Sequence, residues 1–196
     1  MYTIVGLGNP GGEYEDTRHN AGRIVLTEFL KTIGADEMKV TKKYNALTAE
    51  GKLKKEKIHV LFPETFMNKS GTSLKTLITS KKKAETLVVV HDDLDLALGV
   101  VKISFNRGSG GHRGVESIIR AIKTEGFVRI RIGISPVTPG GKVKKPKGED
   151  KVDTFIIGAF SHKEMDVITK ISKKVNDALV AFIQEGREHA MSHYNQ

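Results

Sequence analysis

A short apolar run at residues 2–5 ends in Gly6-Leu7-Gly8-Asn9-Pro10-Gly11-Gly12, and an amphipathic stretch begins at Ala21; no other feature limits the fold of this chain as much. A buried strand that passes through a glycine-rich turn into a helix is the opening unit of an open α/β sheet. Such sheets keep their functional groups in the loops beyond the carboxyl ends of the strands. The loop here delivers His19 just before the helical stretch. A second apolar run, Leu87-Val88-Val89-Val90, reads as a strand covered on both faces and leads directly into His91-Asp92-Asp93-Leu94-Asp95. Two such strand ends can bring a histidine and an aspartate together as a base and the carboxylate that orients it.

The remaining segments continue the alternation. Residues 2–7 predict a central strand, and residues 21–33, with Ile24, Val25, Leu26, Phe29, Leu30 and Ile33 at helical spacing, predict one helix stopped by Gly34. Two strands follow at 45–53 and 57–62, joined by a charged turn and closed by Pro63. Leu74, Leu77 and Ile78 predict a helix over 72–80 that the lysine triplet at 81–83 ends. A strand at 99–105 runs into a flexible loop at 106–111, which feeds a helix at 112–123. Residues 128–134 alternate apolar side chains with Arg129, Arg131 and Gly133, the pattern of a half-exposed strand with a basic polar face. Residues 135–150, rich in proline, glycine and lysine, predict a mobile loop. Ser161 with Glu164 three places on marks the start of the last long helix, whose apolar stripe includes Met165, Ile168, Ile171, Val175, Leu179 and Phe182. The sum is a single domain over residues 1–196, an α/β three-layer sandwich with a twisted, mixed and largely parallel sheet flanked by helices.

Composition removes several function classes. The 196 residues include no cysteine, which excludes disulfides, thiolate nucleophiles and cysteine metal cages. No apolar run approaches the about 20 residues that a membrane helix needs, and the first residues read as a strand rather than a signal peptide, so a cytoplasmic protein is expected. Lysine and arginine total 32 against 23 acidic residues, a formal charge of +9 concentrated at 39–57, 81–83 and 142–147. Such a surface favours a polyanion through phosphate neutralisation and counterion release, and is equally compatible with an ordinary solvated lysine-rich face.

Gly6-Leu7-Gly8-Asn9-Pro10-Gly11 satisfies G-x-G-x-x-G, but in a dinucleotide fold the third glycine already lies in a helix, whereas here Gly-Gly-Glu-Tyr-Glu-Asp-Thr-Arg follows Pro10. Neither Gly51-Lys52 nor Gly141-Lys142 is followed by serine or threonine, so a phosphate-binding P-loop is absent, and G-x-S-x-G does not occur. A hydrolase built on this chain would activate water directly. His19, His91, Asp92, Asp93 and His112 lack metal-ligand spacing, His189 and His193 read as a solvated helix end, and His91 reads as capping its own loop. His19 in its polar, glycine-rich loop has access to substrate, and an Asp92 partner would fix its tautomer as a general base requires. Asn9 and Asn68 offer amides that can stabilise an oxyanion or read a peptide bond, or that serve only as turn residues.

The segments G-L-G-N-P-G-x-x-Y-x-x-T-R-H-N-A-G, F-M-N-x-S-G, H-D-D-L-D-L-x-x-G and G-x-G-G-H-x-G occur here in order, and together they closely resemble the bacterial-type peptidyl-tRNA hydrolase family over essentially the whole chain. The resemblance implies an esterase that cleaves a peptide from the 3′ end of tRNA. It implies His19 as the base that activates water, Asp92 as the group that holds its ring, and Asn9 as the reader of the N-blocked amide. Tyr14, Phe66, Met67 and Asn68 would line the cleft, with His112 at its rim, and Lys102 and Arg131 would clamp tRNA phosphate. Two positions depart from the family pattern: Arg113 stands where asparagine is common, and Ser104 where a second lysine is common, with Arg107 the candidate to compensate. An arginine can hold phosphate but cannot accept a hydrogen bond. The expectation is a monomer acting on peptidyl-tRNA without metal, cofactor, membrane or obligate protein partner; the alternative is a noncatalytic RNA-binding protein using the same basic face.

Overall fold

A computed structural model of the chain describes residues 1–195. Its strands are β1 (Tyr2–Gly6), β2 (Lys39–Thr41), β3 (Ala46–Leu53), β4 (Glu56–Pro63), β5 (Leu87–Ala97), β6 (Val101–Phe105) and β7 (Val128–Ser135). Among the described residues they form one sheet in the order β2-β3-β4-β1-β5-β7-β6. The four central strands run parallel, and the antiparallel pairings lie toward the two edges, β2-β3-β4 on one side and β6-β7 on the other. The mixed, largely parallel sheet read from the sequence is therefore present, with β1 at its centre.

Period-two alternation assigns each strand residue to a layer. Ile4, Val60, Val88 and Val90 face one side, where they pack with Val25, Phe29, Ile168, Val175 and Phe182. Val5, Leu61, Leu87 and Val89 face the other, against Leu74, Val115 and Ile118. Each fully buried aliphatic or aromatic side chain of this kind contributes about 1.5–3 kcal/mol, so the two cores lock the sheet between its helical layers.

The helices are α1 (Ala21–Ile24), α2 (Thr27–Thr32), α3 (Lys81–Ala84), α4 (Arg113–Ile122), α5 (Glu149–Ile157), α6 (His162–Glu185) and α7 (Arg187–Tyr194). Helix α6 starts as expected: Glu164 N–H donates to Ser161 Oγ at 3.4 Å and Ser161 N–H to Glu164 Oε2 at 2.7 Å.

Other segments differ from the sequence-based expectation. The single helix over 21–33 is two short ones, α1 and α2, with a turn between them where Thr27 Oγ1 donates to the Ile24 carbonyl at 2.9 Å. Periodicity specifies the buried side of a segment, not its helical continuity. The expected helix at 72–80 is largely turn, preceded by a 3-10 run at Met67–Ser73, while the lysine triplet expected to end it forms α3, capped by Ser80. In that run Ser70 and Thr72 hydroxyls donate to the carbonyls of Met67 and Lys69, both at 2.8 Å, and so compete with regular helix. Gly71 also sits so close to α4 that a Cβ there would lie 2.1 Å from the Ser117 carbonyl oxygen.

Strand β7 is not half-exposed. It lies between β5 and β6 under both layers, and Arg129 is buried, its guanidinium donating to the carbonyls of Gly108 (2.7 Å) and Arg107 (2.6 Å). The apolar run at 87–90 also extends further than expected: β5 continues through Ala97, so His91, Asp92 and Asp93 lie within the strand, paired with Arg131, Ile132 and Gly133. The segment 135–150 contains a Val137–Val143 bridge and runs into α5, which the sequence reading did not foresee. Among the described residues no helix is long and apolar enough to cross a membrane.

Candidate active site

The carboxyl ends of β1, β4 and β5 converge. After β1 the chain enters α1 on one face of the sheet, and after β4 it enters the 3-10 run on the other, so these neighbouring strands part and leave a crevice. Helix α1 rests directly on the sheet: a Cβ at Gly22 would fall 2.2 Å from the Val90 carbonyl oxygen. That close approach seats His19, three residues earlier, over Asp92, two residues beyond Val90.

His19 Nδ1 lies 3.0 Å from both carboxylate oxygens of Asp92, and His112 Nε2 lies 2.9 Å from Oδ1. All three side chains are almost wholly buried. Backbone geometry decides the tautomers. His112 is the N-cap of α4, its Nδ1 accepting from the N–H groups of Gly114 (3.1 Å) and Val115 (3.3 Å), so its proton sits on Nε2 and is donated to Asp92. His19 likewise donates Nδ1–H to Asp92, which leaves Nε2 as its lone-pair nitrogen. Burial alone would raise the Asp92 pKa, but the His19 and His112 rings that flank it overcome this and hold the carboxyl well below the usual range. The donor atoms of His19, Asp92 and His112 lie within 4.8 Å of one another and are the group that could converge on a cation, although the present contacts are hydrogen bonds and His112 Nδ1 is committed to backbone.

His91 bonds to the Asp92 carbonyl through Nδ1 at 2.7 Å and packs edge-on to His112 at a centroid distance of 4.6 Å. Burial first, and then the neighbouring His112, push its pKa well below the ordinary value, which keeps it neutral.

Asn9 is fixed from two sides. Its backbone N–H donates to Asn20 Oδ1 (2.8 Å) and its carbonyl accepts from Asn20 Nδ2 (3.0 Å), while its own Oδ1 accepts the Met67 N–H at 2.9 Å. The Met67 N–H fixes which end of the amide is oxygen and holds it toward Met67, so Asn9 presents its two Nδ2–H donors. Asn20 was not singled out in the sequence, and only its place next to His19 could have drawn notice. Arg18, likewise unassigned, forms a fork with Glu164 (3.0 and 3.1 Å) and donates to the Gly158 carbonyl, fastening the His19 loop to the start of α6.

The other candidates fall into three places. Tyr14 and Phe66 meet edge to face at 6.5 Å beside buried Met67 and exposed Asn68, with Phe66 59% exposed. Arg113 is ion-paired to Glu149 (2.7 Å) and Asp153 (3.1 Å) at α5; with His19, Asp92 and His112 it lines a cavity of about 370 Å³ that Tyr14, Phe66, Met67 and Asn68 do not line. Lys102 and Arg131 are direct cross-strand partners at the sheet edge. Lys102 Nζ donates to the Asn195 carbonyl and Arg131 Nε to Asp93 Oδ2 at 2.7 Å, so each is partly engaged within the protein. Ser104 is buried opposite Arg129.

A peptidyl-tRNA hydrolase from a Thermoanaerobacter species is 44% identical over 100% of both chains, and one from Aquifex aeolicus is 39% identical over 98% of this chain and 95% of its own. A solved peptidyl-tRNA hydrolase in complex with N-propanol superposes with a TM-score of 0.86 at 30% identity, covering 100% of this chain and 94% of its own. The crystal structure of the Acinetobacter baumannii peptidyl-tRNA hydrolase gives a TM-score of 0.87 at 28% identity over the same shares. The family model for peptidyl-tRNA hydrolase matches residues 3–196, so with the fold and the His19–Asp92–His112 arrangement in view, the chain belongs to the peptidyl-tRNA hydrolase family.

Proposed function

We propose that this chain hydrolyses the ester between a peptide and the 3′ end of tRNA, with His19 as the general base. The observation that carries this reading is the fixed tautomer of His19, whose Nδ1–H is held by Asp92. Nε2 takes a proton from water as the water oxygen bonds to the ester carbonyl carbon. Asp92 stabilises the imidazolium so formed. When the tetrahedral intermediate collapses, the bond to the ribose 3′ oxygen breaks and the imidazolium returns its proton to that oxygen, releasing free tRNA and the peptide acid. An ester is activated enough for this route without a covalent nucleophile. General-base help supplies about 10²- to 10⁴-fold, and positioning of the bound ester adds to it.

Asn9, donating through Nδ2, meets the acylated amino end of the substrate and so favours peptidyl-tRNA over simple aminoacyl-tRNA. Tyr14, Phe66, Met67 and Asn68 receive the peptide and the terminal adenosine, with His112 and Arg113 in the cavity beside His19. Lys102 and Arg131 attract tRNA phosphate through the charge that their internal partners leave uncompensated, and the formal charge of +9 supports the same partner. The enzyme acts as a monomer in the cytoplasm, where its substrate arises.

The experiment compares release of tRNA from N-acetyl-aminoacyl-tRNA and from the unblocked ester, for the native chain and His19→Ala, with and without chelator. The native chain should cleave only the blocked ester, unaffected by chelator, while His19→Ala loses turnover and still binds tRNA. A His19→Ala protein of native activity would leave the noncatalytic RNA-binding reading in possession, and inactivation by chelator would put a cation at His19, Asp92 and His112.

A further inference from the structure

Arg23 lies on α1 against the chain shortly before Asn9 and Met67. Its side chain is only 14% exposed. Nη2 donates to the Gly8 carbonyl at 3.2 Å and to the Pro63 carbonyl, Nη1 pairs with Glu64 Oε1 at 3.1 Å, and the guanidinium lies over the Phe62 ring at 5.8 Å. Gly8 precedes Asn9 just past the end of β1, and Pro63 ends β4 and is followed by Glu64, shortly before Met67. One planar cation therefore joins the two strand ends whose next residues make the Met67 N–H to Asn9 Oδ1 bond. The fit is close: a Cβ on Gly8 would meet Arg23 Cδ and Nε at 2.8 Å and Asn20 Cγ at 2.9 Å. The two strands pair only as far as Val5 and Leu61, so beyond that register no ladder bond holds the ends together.

We propose that Arg23 is a positioning residue that sets the Asn9 amide by clamping the end of β1 to the end of β4. The inference rests on the reading of Asn9 as the donor that meets the acylated end of the substrate. The rigid guanidinium fork is the reason for arginine here: lysine would bring one charge to one carbonyl, whereas arginine bonds two carbonyls and a carboxylate in a single plane. When the clamp is lost, the two ends move relative to each other, Asn9 Oδ1 loses its fixed donor, and the amide can present its oxygen to the substrate carbonyl. Displacement on the order of 1 Å at a reacting centre lowers rates by about 10²-fold, and this site, one bond removed, should lose about 10-fold.

The test is a kinetic cycle on N-acetyl-aminoacyl-tRNA with Arg23→Met, Arg23→Lys, Asn9→Ala and Arg23→Met/Asn9→Ala, each assayed well below its own Tm. Arg23→Met keeps the aliphatic stem on Phe62 and removes the donors. The expected result is a drop of about 10-fold in kcat/KM for Arg23→Met, little recovery in Arg23→Lys, and no further loss when Arg23→Met is added to Asn9→Ala. A merely structural role would lower Tm and leave kcat/KM of the folded protein unchanged, and that result overturns the proposal. Losses that multiply fully in the double variant also overturn it, since Arg23 would then act independently of Asn9. If Asn9→Ala itself behaves like the native chain, the assignment of Asn9 fails and the clamp proposal falls with it; an impaired Asn9→Ala beside a native-like Arg23→Met sinks the clamp alone.

Discussion

Replacing Asp92 by asparagine keeps the size of the side chain and reverses the logic of its hydrogen bonds. The carboxylate accepts from both sides, His19 Nδ1–H at 3.0 Å and His112 Nε2–H at 2.9 Å. Both rings reach the same oxygen, Oδ1, and His19 Nδ1 is also 3.0 Å from Oδ2, so an asparagine that keeps its oxygen at the Oδ1 position brings its amino group within 3.0 Å of His19 Nδ1. His112 has no freedom in the matter, because its Nδ1 is bound by the N–H groups of Gly114 and Val115 and its proton must remain on Nε2. In Asp92→Asn the amide oxygen would therefore turn to His112, and the amino group would face His19 Nδ1. His19 can then accept from that amino group, and in that tautomer its proton sits on Nε2, the atom that must receive a proton from water.

That tautomer has no general-base contribution, so Asp92→Asn loses up to about 10²- to 10⁴-fold in turnover, or about 3–5 kcal/mol of barrier. Single-turnover cleavage of N-acetyl-aminoacyl-tRNA by Asp92→Asn measures it, with tRNA affinity expected near the native value. A second variant separates tautomer control from charge loss. In Asp92→Asn/His112→Ala nothing compels the amide oxygen toward residue 112, so it can accept from His19 and restore the productive tautomer. The double variant should be more active than Asp92→Asn alone, by about 10-fold. A double variant slower than Asp92→Asn, or an Asp92→Asn enzyme within about threefold of native turnover, would refute the reasoning.

Stability should fall on mild acidification because His91 is buried neutral. Its folded pKa is well below the ordinary 6.5, so as pH falls below 6.5 the unfolded chain binds a proton that the folded chain refuses, and stability is lost at up to about 1.4 kcal/mol per pH unit. Buried His59 acts in the same direction; urea unfolding between pH 8 and 5 should show the slope, reduced in His91→Phe, and an unchanged slope would exonerate His91. Gly22→Ala should cost about 3 kcal/mol or more, since the added methyl meets the Val90 carbonyl at 2.2 Å, and a thermal midpoint within about 2–3 °C of native, the shift that about 1 kcal/mol produces, would contradict that packing. Raising salt from about 50 to 200 mM should raise KM several-fold and leave kcat unchanged, because phosphate contacts supply affinity and not chemistry; a kcat that falls in parallel would argue otherwise.

The sheet was legible because its signals are local. Residues 4–5, 60–61 and 87–90 are apolar runs of β-branched and aliphatic residues, and each stands in the core where alternation assigns it. The Ser161–Glu164 pair likewise announced α6, because a capping box closes within four residues. The broken helix at 21–33, the 3-10 run at Met67–Ser73 and helix α5 were not legible. Their course depends on contacts that sequence spacing cannot express, such as Gly71 against Ser117 and Arg18 against the carbonyl of Gly158. Arg129 and Arg131 misled for a related reason: alternation identifies a polar face, but whether that face meets water depends on β6 pairing at the far side of β7.

What the sequence determined by itself was therefore the strand–loop–helix frame, the family, and the residue types that gather at the strand ends. Those follow from periodicity, glycine placement and ordered motifs, all properties of near neighbours along the chain. Only the tertiary structure decided the chemistry of the individual atoms. Asp92 stands between two histidines because β5 lies under both α1 and the start of α4, and His112 has one tautomer because it caps a helix. The Asn9 amide has one orientation because the chain just past the end of β4 supplies the N–H that holds its oxygen. Protonation and hydrogen-bond direction are set by what lies within about 3 Å, and residues 9, 19, 67, 92 and 112 reach that distance only when the sheet brings their strands together.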